Sequence, residues 1–197
     1  NENLDENYAQ KIFDNANPKI VTVCRLEKRK GLENTLLALK NFQSKYQNFK
    51  FAIIGDGEEK ENLKNQINNL NLSNNIILFQ NMDSKLKNSL IKSADFFIMP
   101  SIQVGKSVEG FGISFLEAAK YGTASIGGIQ GGSSDIIKNE KTGLLCDGNS
   151  FEDIYKSLML IMKNDNYKVF GDNAKNFSKQ FDWEIQIKKY MDIIRKN

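Results

Sequence analysis

The 197-residue sequence contains no histidine, and this absence removes several kinds of site at once. Without histidine, neither a histidine-based catalytic triad nor a histidine-ligated metal site can be built. The only two cysteines, Cys24 and Cys146, lie far apart in apolar segments and form no CxxC pair. We therefore expect both to be reduced thiols of the core, as in a protein of a reducing cytosol.

Long apolar runs and strong charge are missing as well. No run reaches membrane-spanning length, and no signal-peptide pattern is present, so we expect a cytoplasmic protein. The net charge is only +3, and the lysines are spread along the chain, so the sequence does not predict a nucleic-acid partner. No Asp-x-Asp pair occurs, and we therefore expect no protein-bound metal at a diphosphate.

Short apolar segments instead alternate with helical patterns. Apolar runs, several of them rich in β-branched residues, predict strands at 19–26, 49–55, 75–80, 95–101, 123–129 and 142–146. Periodicity and capping signals predict helices at 32–46, 58–70, 84–93, 114–121, 134–138, 150–162, 167–179 and 183–195. Such alternation is typical of right-handed βαβ units, and it predicts a doubly wound, Rossmann-like α/β domain with a parallel sheet and a helical C-terminal tail.

The first seventeen residues are polar and end at Asn17-Pro18, a pattern typical of a linker or a short helix. We assign 1–17 to a linker or interdomain segment. We assign 18–197 to one ligand-binding domain that includes the C-terminal helices at 151–197. Because the sequence does not begin with methionine, we expect it to be part of a longer protein.

Ligands of doubly wound folds bind outside the carboxyl ends of the strands, and the unusual residues of this sequence follow the predicted strands. After the first strand, Arg25 and Lys30 could both face an anion above the sheet, whereas Lys28 and Arg29 are expected to be surface charges. Cations after strands are common, so an isolated pair would more often be structural.

The stretch EGFGISFLE (109–117) has two interpretations. Gly110 and Gly112 precede a helix whose first N–H groups are free donors, an arrangement that binds phosphate. Alternatively, Ser114 and Glu117 form an S-x-x-E capping box that merely starts the helix. Gly55, in IIGDG, resembles the beginning of a dinucleotide motif, but a tight turn is the safer interpretation.

Taken in order, these motifs resemble the C-terminal, donor-binding domain of the retaining glycosyltransferases of family 4, which have the GT-B fold. The resemblance runs from about Lys19 to the C-terminus. It depends on RLEKRKG (25–31), IIGDG (53–57), ADFFIMPS (94–101), EGFG (109–112) with Glu117 eight residues after Glu109, and the glycine-rich turn before TGLL (142–145).

The resemblance implies a role for each matching residue. Arg25 and Lys30 would neutralise the diphosphate of a nucleotide sugar, Glu109 would bind hydroxyls of the donor sugar, and Glu117 would bind the ribose. Arg25, Lys30 and Glu109 would therefore be the catalytic residues. The other donor-binding residues would be Gly55, Gln80, Asn81, Met82, Gly110, Phe111, Gly112, Ile113 and Ser114, with 80–82 meeting the base.

The resemblance also implies the partners. The donor would be a UDP-, GDP- or ADP-sugar bound without metal or cofactor, and the acceptor would lie on an N-terminal domain that this sequence lacks. The fragment alone would then be inactive. The last helix, which carries Trp183, Ile187, Tyr190, Met191 and Ile194 at helical spacing, would expose apolar surface. The base, the sugar and the acceptor stay open, as does attachment of the whole enzyme to the inner face of the membrane.

Two other functions use the same residues. A sugar-nucleotide epimerase of the same fold is disfavoured by the absence of histidine. A non-catalytic nucleotide-sugar-binding module is disfavoured by the joint presence of Arg25, Lys30, Glu109 and Glu117.

Overall fold

All six predicted strands form, and they lie side by side in one parallel sheet. A computed structural model describes the backbone of residues 2–195 and the side chains of 6–188, 191 and 194. The strands are Lys19–Val23 (β1), Lys50–Ile54 (β2), Ile76–Phe79 (β3), Phe96–Met99 (β4), Ala124–Gly128 (β5) and Gly143–Cys146 (β6). Each strand is one to three residues shorter than predicted at one or both ends, so residues 24–26 belong to the loop after β1.

The strand order is β3-β2-β1-β4-β5-β6. The chain runs outward from β1 to one edge of the sheet and then returns to place β4 on the other side of β1. Ile20 of β1 therefore pairs with Phe51 of β2 and with Phe96 of β4. The order reverses between β1 and β4, and in doubly wound sheets this is where a crevice opens at the carboxyl edge.

Helices cover both faces of the sheet. They are Glu2–Phe13 (α1), Leu32–Phe42 (α2), Lys60–Asn69 (α3), Ser84–Ser93 (α4), Ile113–Tyr121 (α5), Ser133–Ile136 (α6), Phe151–Met162 (α7), Asn166–Ser178 (α8) and Trp183–Arg195 (α9). Short 3-10 turns occupy Lys28–Lys30, Lys163–Asp165 and Lys179–Phe181. None of the helices within residues 2–195 combines the length and apolarity that crossing a bilayer requires.

Alternate residues of the strands feed two separate cores. In β1, Ile20 packs with α2, α3 and α7 on one face, while Val21 packs with α1, α4 and α5 on the other. Phe96 and Phe97 of β4 divide in the same way. Because both faces are covered, the strands are continuous apolar runs rather than alternating ones.

The segment before β1 is a helix. Ala9 and Phe13 of α1 are fully buried against the core that contains α4, so this part of residues 1–17 packs on the domain. Of the two predictions for this segment, a linker or a short helix, the structure shows the helix. The assignment of 1–17 as an interdomain segment stays a prediction.

The last helix exposes apolar side chains, as the sequence predicted. Trp183, Ile187, Met191 and Ile194 of α9 are all exposed. The side chain of Tyr190, which belongs to the same predicted set, lies outside the described residues.

Candidate active site

The loops after β1 and β4 flank the point where the strand order reverses, and their main chains are in direct contact. The amide N–H of Ile102 donates to the carbonyl of Arg29 at 2.8 Å. Gly31 ends the 28–30 turn in the left-handed region, with φ of 70°, and a Cβ there would lie 2.1 Å from the carbonyl oxygen of Pro100. Only glycine satisfies both conditions, so the two loops are fixed relative to each other.

Lys30 and Glu109 meet in this crevice as a buried ion pair. The Lys30 Nζ lies 2.5 Å from Oε2 of Glu109, and the two side chains are 8% and 10% exposed. A buried pair of this kind is retained only if its remaining hydrogen-bonding capacity is also satisfied. The same Oε2 accepts from Nη1 of Arg29 at 2.9 Å and from Oγ of Ser101 at 3.3 Å.

These cations decide the charge of Glu109. Burial by itself would raise the pKa of the Glu109 carboxyl, but the hydrogen bond and charge of Lys30, together with Arg29, outweigh burial and hold that pKa below its usual value. Glu109 is therefore an ionised acceptor at neutral pH.

Arg29 is not the surface charge that the sequence predicted. Its side chain is 21% exposed, and its Nε donates to Oε2 of Glu27 at 2.8 Å while Nη1 reaches Glu109. Arg25, predicted beside Lys30, is instead 80% exposed and pairs with the other oxygen of Glu27 at 3.1 Å. In the described part of the chain, no ion pair joins Arg25 to Glu109. The sequence feature that could have indicated this network is Glu27, a carboxylate two residues from each arginine.

Helix α5 begins one residue earlier than predicted, and the capping box is absent. Gly112, with φ of 76°, occupies the N-cap without any side-chain hydrogen bond, so Ser114 is already inside the helix. Its Oγ donates instead to the carbonyl of Val23 at 2.8 Å, which fixes α5 against the end of β1. Glu117, freed from capping, accepts from Nζ of Lys87 on α4 at 2.9 Å. No feature of the sequence indicated this role of Lys87.

The loop that carries Glu109 and Gly110 is supported by the turn after β5. The N–H of Gly132 donates to the carbonyl of Glu109 at 3.0 Å, and a Cβ on Gly132 would lie 1.7 Å from the carbonyl oxygen of Gly110. Gly110 itself faces open space, and Phe111 and Ile113 are exposed at the same edge. Within this stretch Gly110, Phe111 and Ile113 are exposed, whereas Gly112 is buried and Ser114 is half-buried, so its contact with a donor stays a prediction.

The other predicted residues lie farther along the edge. Gly55 follows β2, and a Cβ there would lie 1.9 Å from the carbonyl oxygen of Cys24, so it serves close contact with the loop after β1. Gln80 and Asn81 are exposed after β3, and Met82 is half-buried. Within the described residues, no hydrogen bond joins 80–82 to the ion-pair cluster, and their contact with a base stays a prediction. In the part of the chain that the structure describes, no three Cys, Asp or Glu side chains are grouped so that they could bind a metal ion.

Residues 5–177 match the family model described as Glycosyl transferases group 1. The chain belongs to this family. It is 30% identical over 181 residues to an uncharacterized glycosyltransferase of Methanocaldococcus jannaschii, a match that covers 90% of this chain and 45% of the relative. It is 27% identical over 182 residues to the GDP-mannose-dependent alpha-(1-6)-phosphatidylinositol monomannoside mannosyltransferase of Mycobacterium tuberculosis, covering 90% and 47%. The chain thus spans about half the length of these relatives.

Solved structures show the same fold. The C-terminal domain of a glycosyl transferase group 1 family protein from Francisella tularensis superposes with a TM-score of 0.76 at 22% identity, over 91% of this chain and 92% of that domain. Anabaena HepE, crystallised with UDP, superposes with a TM-score of 0.83 at 18% identity, over 98% of this chain and 53% of HepE. The predicted doubly wound, Rossmann-like α/β fold with a parallel sheet and a helical C-terminal tail is confirmed.

Proposed function

We propose that this group 1 glycosyltransferase domain is the donor-binding part of a retaining enzyme of family 4. It would bind a nucleoside-diphosphate sugar, and the longer protein would transfer the sugar, with retention, to an acceptor held by a second domain. The observation that carries the proposal is the buried pair of Lys30 and Glu109, which joins the loops on either side of the strand-order reversal.

The charges of this crevice suit the chemistry of transfer. When the bond between the anomeric carbon and the β-phosphate oxygen breaks, its electron pair stays on the departing diphosphate while positive charge grows on the sugar. Lys30 and the free N–H groups at the start of α5 would stabilise that negative charge. Arg25, which is exposed and, within the described residues, forms its one ion pair with Glu27, would be free to turn toward the same phosphates.

The carboxylates would bind the two sugars of the donor. Glu109 would accept hydrogen bonds from hydroxyls of the transferred sugar, and Glu117 would accept from the ribose while Lys87 neutralises it. Two such carboxylates do not suit a glycosidase, which needs an acid and a nucleophile flanking one bond. One relative is named as GDP-mannose-dependent and one neighbour binds UDP, so both bases are candidates.

The first test is binding. The chain is titrated with UDP, GDP, ADP and their sugars in EDTA by calorimetry, and we expect at least one to bind. Lys30→Ala should weaken that ligand at least about tenfold, since a charged hydrogen bond contributes about 1.5–3 kcal/mol. Lys28→Ala, which removes an exposed lysine from the same turn, is the matched control and should change little. A folded chain that binds none of the ligands would exclude donor binding.

The second test concerns Glu117. Because the helix is capped without it, Glu117→Gln should leave the melting temperature nearly unchanged and weaken nucleotide binding about tenfold. Unchanged nucleotide affinity in this variant would remove Glu117 from the site.

A further inference from the structure

We propose that Arg29 is the positioning residue that keeps the Glu109 carboxylate in place at the donor sugar after Lys30 engages the diphosphate. This inference rests on the proposed function. It adds a residue that neither the sequence motifs nor the resemblance assigned to the site.

The guanidinium of Arg29 connects two carboxylates. Nε lies 2.8 Å from Glu27 and Nη1 lies 2.9 Å from Glu109. The N–H groups of a guanidinium point in fixed directions from a rigid, planar group. The hydrogen bond from Nε to Glu27 therefore also orients the hydrogen bond from Nη1 to Glu109. A lysine ammonium is a point charge on a flexible stem and could not fix both directions at once.

The main chain of Arg29 is fixed as well. Its carbonyl accepts from Ile102 in the loop after β4, and the next amide, of Lys30, donates to the carbonyl of Glu27 at 2.9 Å. The turn then ends at Gly31, against Pro100. Because Glu109 is in the same connection from β4 to α5 as Ile102, the arginine and its carboxylate partner are tied through both backbone and side chain.

Donor binding creates the need for this residue. Lys30, Arg29 and Ser101 all donate to the same oxygen of Glu109, so Lys30 is shared between Glu109 and any phosphate that enters. If the ammonium moves toward the phosphate, a carboxylate that is 10% exposed loses its shortest partner. A buried carboxylate without a charged partner is costly and would turn away or become protonated. Arg29 supplies the remaining charge, since the Ser101 bond at 3.3 Å is long for a hydroxyl donor.

Arg29 and Lys30 should therefore affect different parts of the donor, and binding measurements can distinguish the two effects. Arg29 acts on Glu109, which would meet the sugar, and not on the phosphates. Removing Arg29 should therefore weaken the nucleotide sugar more than the nucleoside diphosphate. The measured quantity is the ratio of the Kd for the nucleotide sugar to the Kd for the corresponding nucleoside diphosphate.

The experiment uses the 197-residue chain and three ligand pairs: UDP with UDP-glucose, UDP with UDP-N-acetylglucosamine, and GDP with GDP-mannose. For the pair that binds most tightly, Arg29→Ala should raise the ratio about tenfold, as expected for loss of one charge-assisted contact. Lys28→Ala removes the same charge from the same turn and should leave the ratio within about twofold. Arg29→Lys keeps the charge without the fork, so it should fold normally and still raise the ratio at least about threefold.

Circular dichroism first establishes that each variant is folded; if Arg29→Ala is not, Arg29→Lys decides. If the parent chain binds nucleotides but the arginine variants give the same ratio as Lys28→Ala, the positioning role is wrong and donor binding stands. If both arginine variants weaken the two members of the pair equally while Lys28→Ala weakens neither, Arg29 acts on the phosphates instead, which also overturns the inference. If the parent chain binds no ligand, the proposed function fails and the inference fails with it.

Discussion

Replacing Lys30 by methionine should destabilise the domain substantially. Methionine keeps most of the length and apolar bulk of the side chain but removes the ammonium 2.5 Å from Glu109. Removing one partner of a buried ion pair typically costs about 3–5 kcal/mol, because the other charge is left unpaired. Arg29 remains beside Glu109, so we expect the lower end, about 3 kcal/mol, which corresponds to a fall in Tm of about 6–12 °C for a chain of this size.

The pH dependence identifies the source of this loss. The folded-state pKa of Glu109 lies below its unfolded value, so its stabilisation is present above the unfolded pKa and is lost as the pH falls through the folded pKa. Without Lys30 the Glu109 carboxyl protonates at a higher pH, and protonation removes the free-energy cost of burying its charge. The difference in Tm between the parent chain and Lys30→Met should therefore narrow as the pH is lowered from 7 toward 4.

The assay is thermal unfolding followed by circular dichroism at several pH values, with Lys28→Met as the control. Lys28 is exposed, and its replacement should change stability by less than about 0.5 kcal/mol. A loss for Lys30→Met below about 1 kcal/mol, or one that stays constant from pH 7 to 4, would refute the assignment of Glu109 as a buried charge that depends on Lys30.

Three further changes test other parts of the crevice. Gly132→Ala places a Cβ 1.7 Å from a backbone oxygen and should lower the free energy of unfolding, measured in urea, by about 1–3 kcal/mol. Gly110→Ala places its Cβ in open space and should lower it much less, so equal losses would contradict the close approach. Burial raises the pKa of the half-buried Cys24 to about 11 and that of the buried Cys146 to about 12. Cys146 should therefore not react with a disulfide reagent at pH 8 until the chain unfolds, and rapid reaction of both thiols in the native chain would be inconsistent with this. Ser114→Ala removes a hydrogen bond to a strand-end carbonyl and should lower stability by about 1 kcal/mol in the same unfolding assay, an effect absent if α5 is held by packing alone.

The fold could be predicted because its signals are local and repeated. Most strands are short, mainly apolar and largely buried runs, as in Phe96–Met99, where all four residues are buried. Such runs, separated by amphipathic helices, leave little choice but a covered parallel sheet. The segment before β1 was ambiguous because its burial depends on few residues, notably Ala9 and Phe13.

The sequence predicted part of the site, and the errors in that prediction have a common cause. Lys30 and Glu109 were both predicted, but Arg29 was not, because the direction of its side chain depends on the 28–30 turn closing at Gly31 against another loop. The start of α5 depends likewise on the left-handed Gly112, where a Cβ would lie 2.6 Å from the ring of Phe115. Capping patterns describe a helix by itself, whereas these positions are decided by what the helix end touches.

The exposed apolar side chains of α9 have a practical spectroscopic consequence. Trp183 is the only tryptophan in the sequence, and it is 75% exposed at the start of that helix. Its emission in the folded chain should already resemble that of tryptophan in water, so unfolding of the two cores will change it little. Intrinsic fluorescence is therefore a poor reporter of denaturation here. It is instead a built-in sensor for anything that covers α9, which would shift the emission to shorter wavelength and protect the indole from acrylamide.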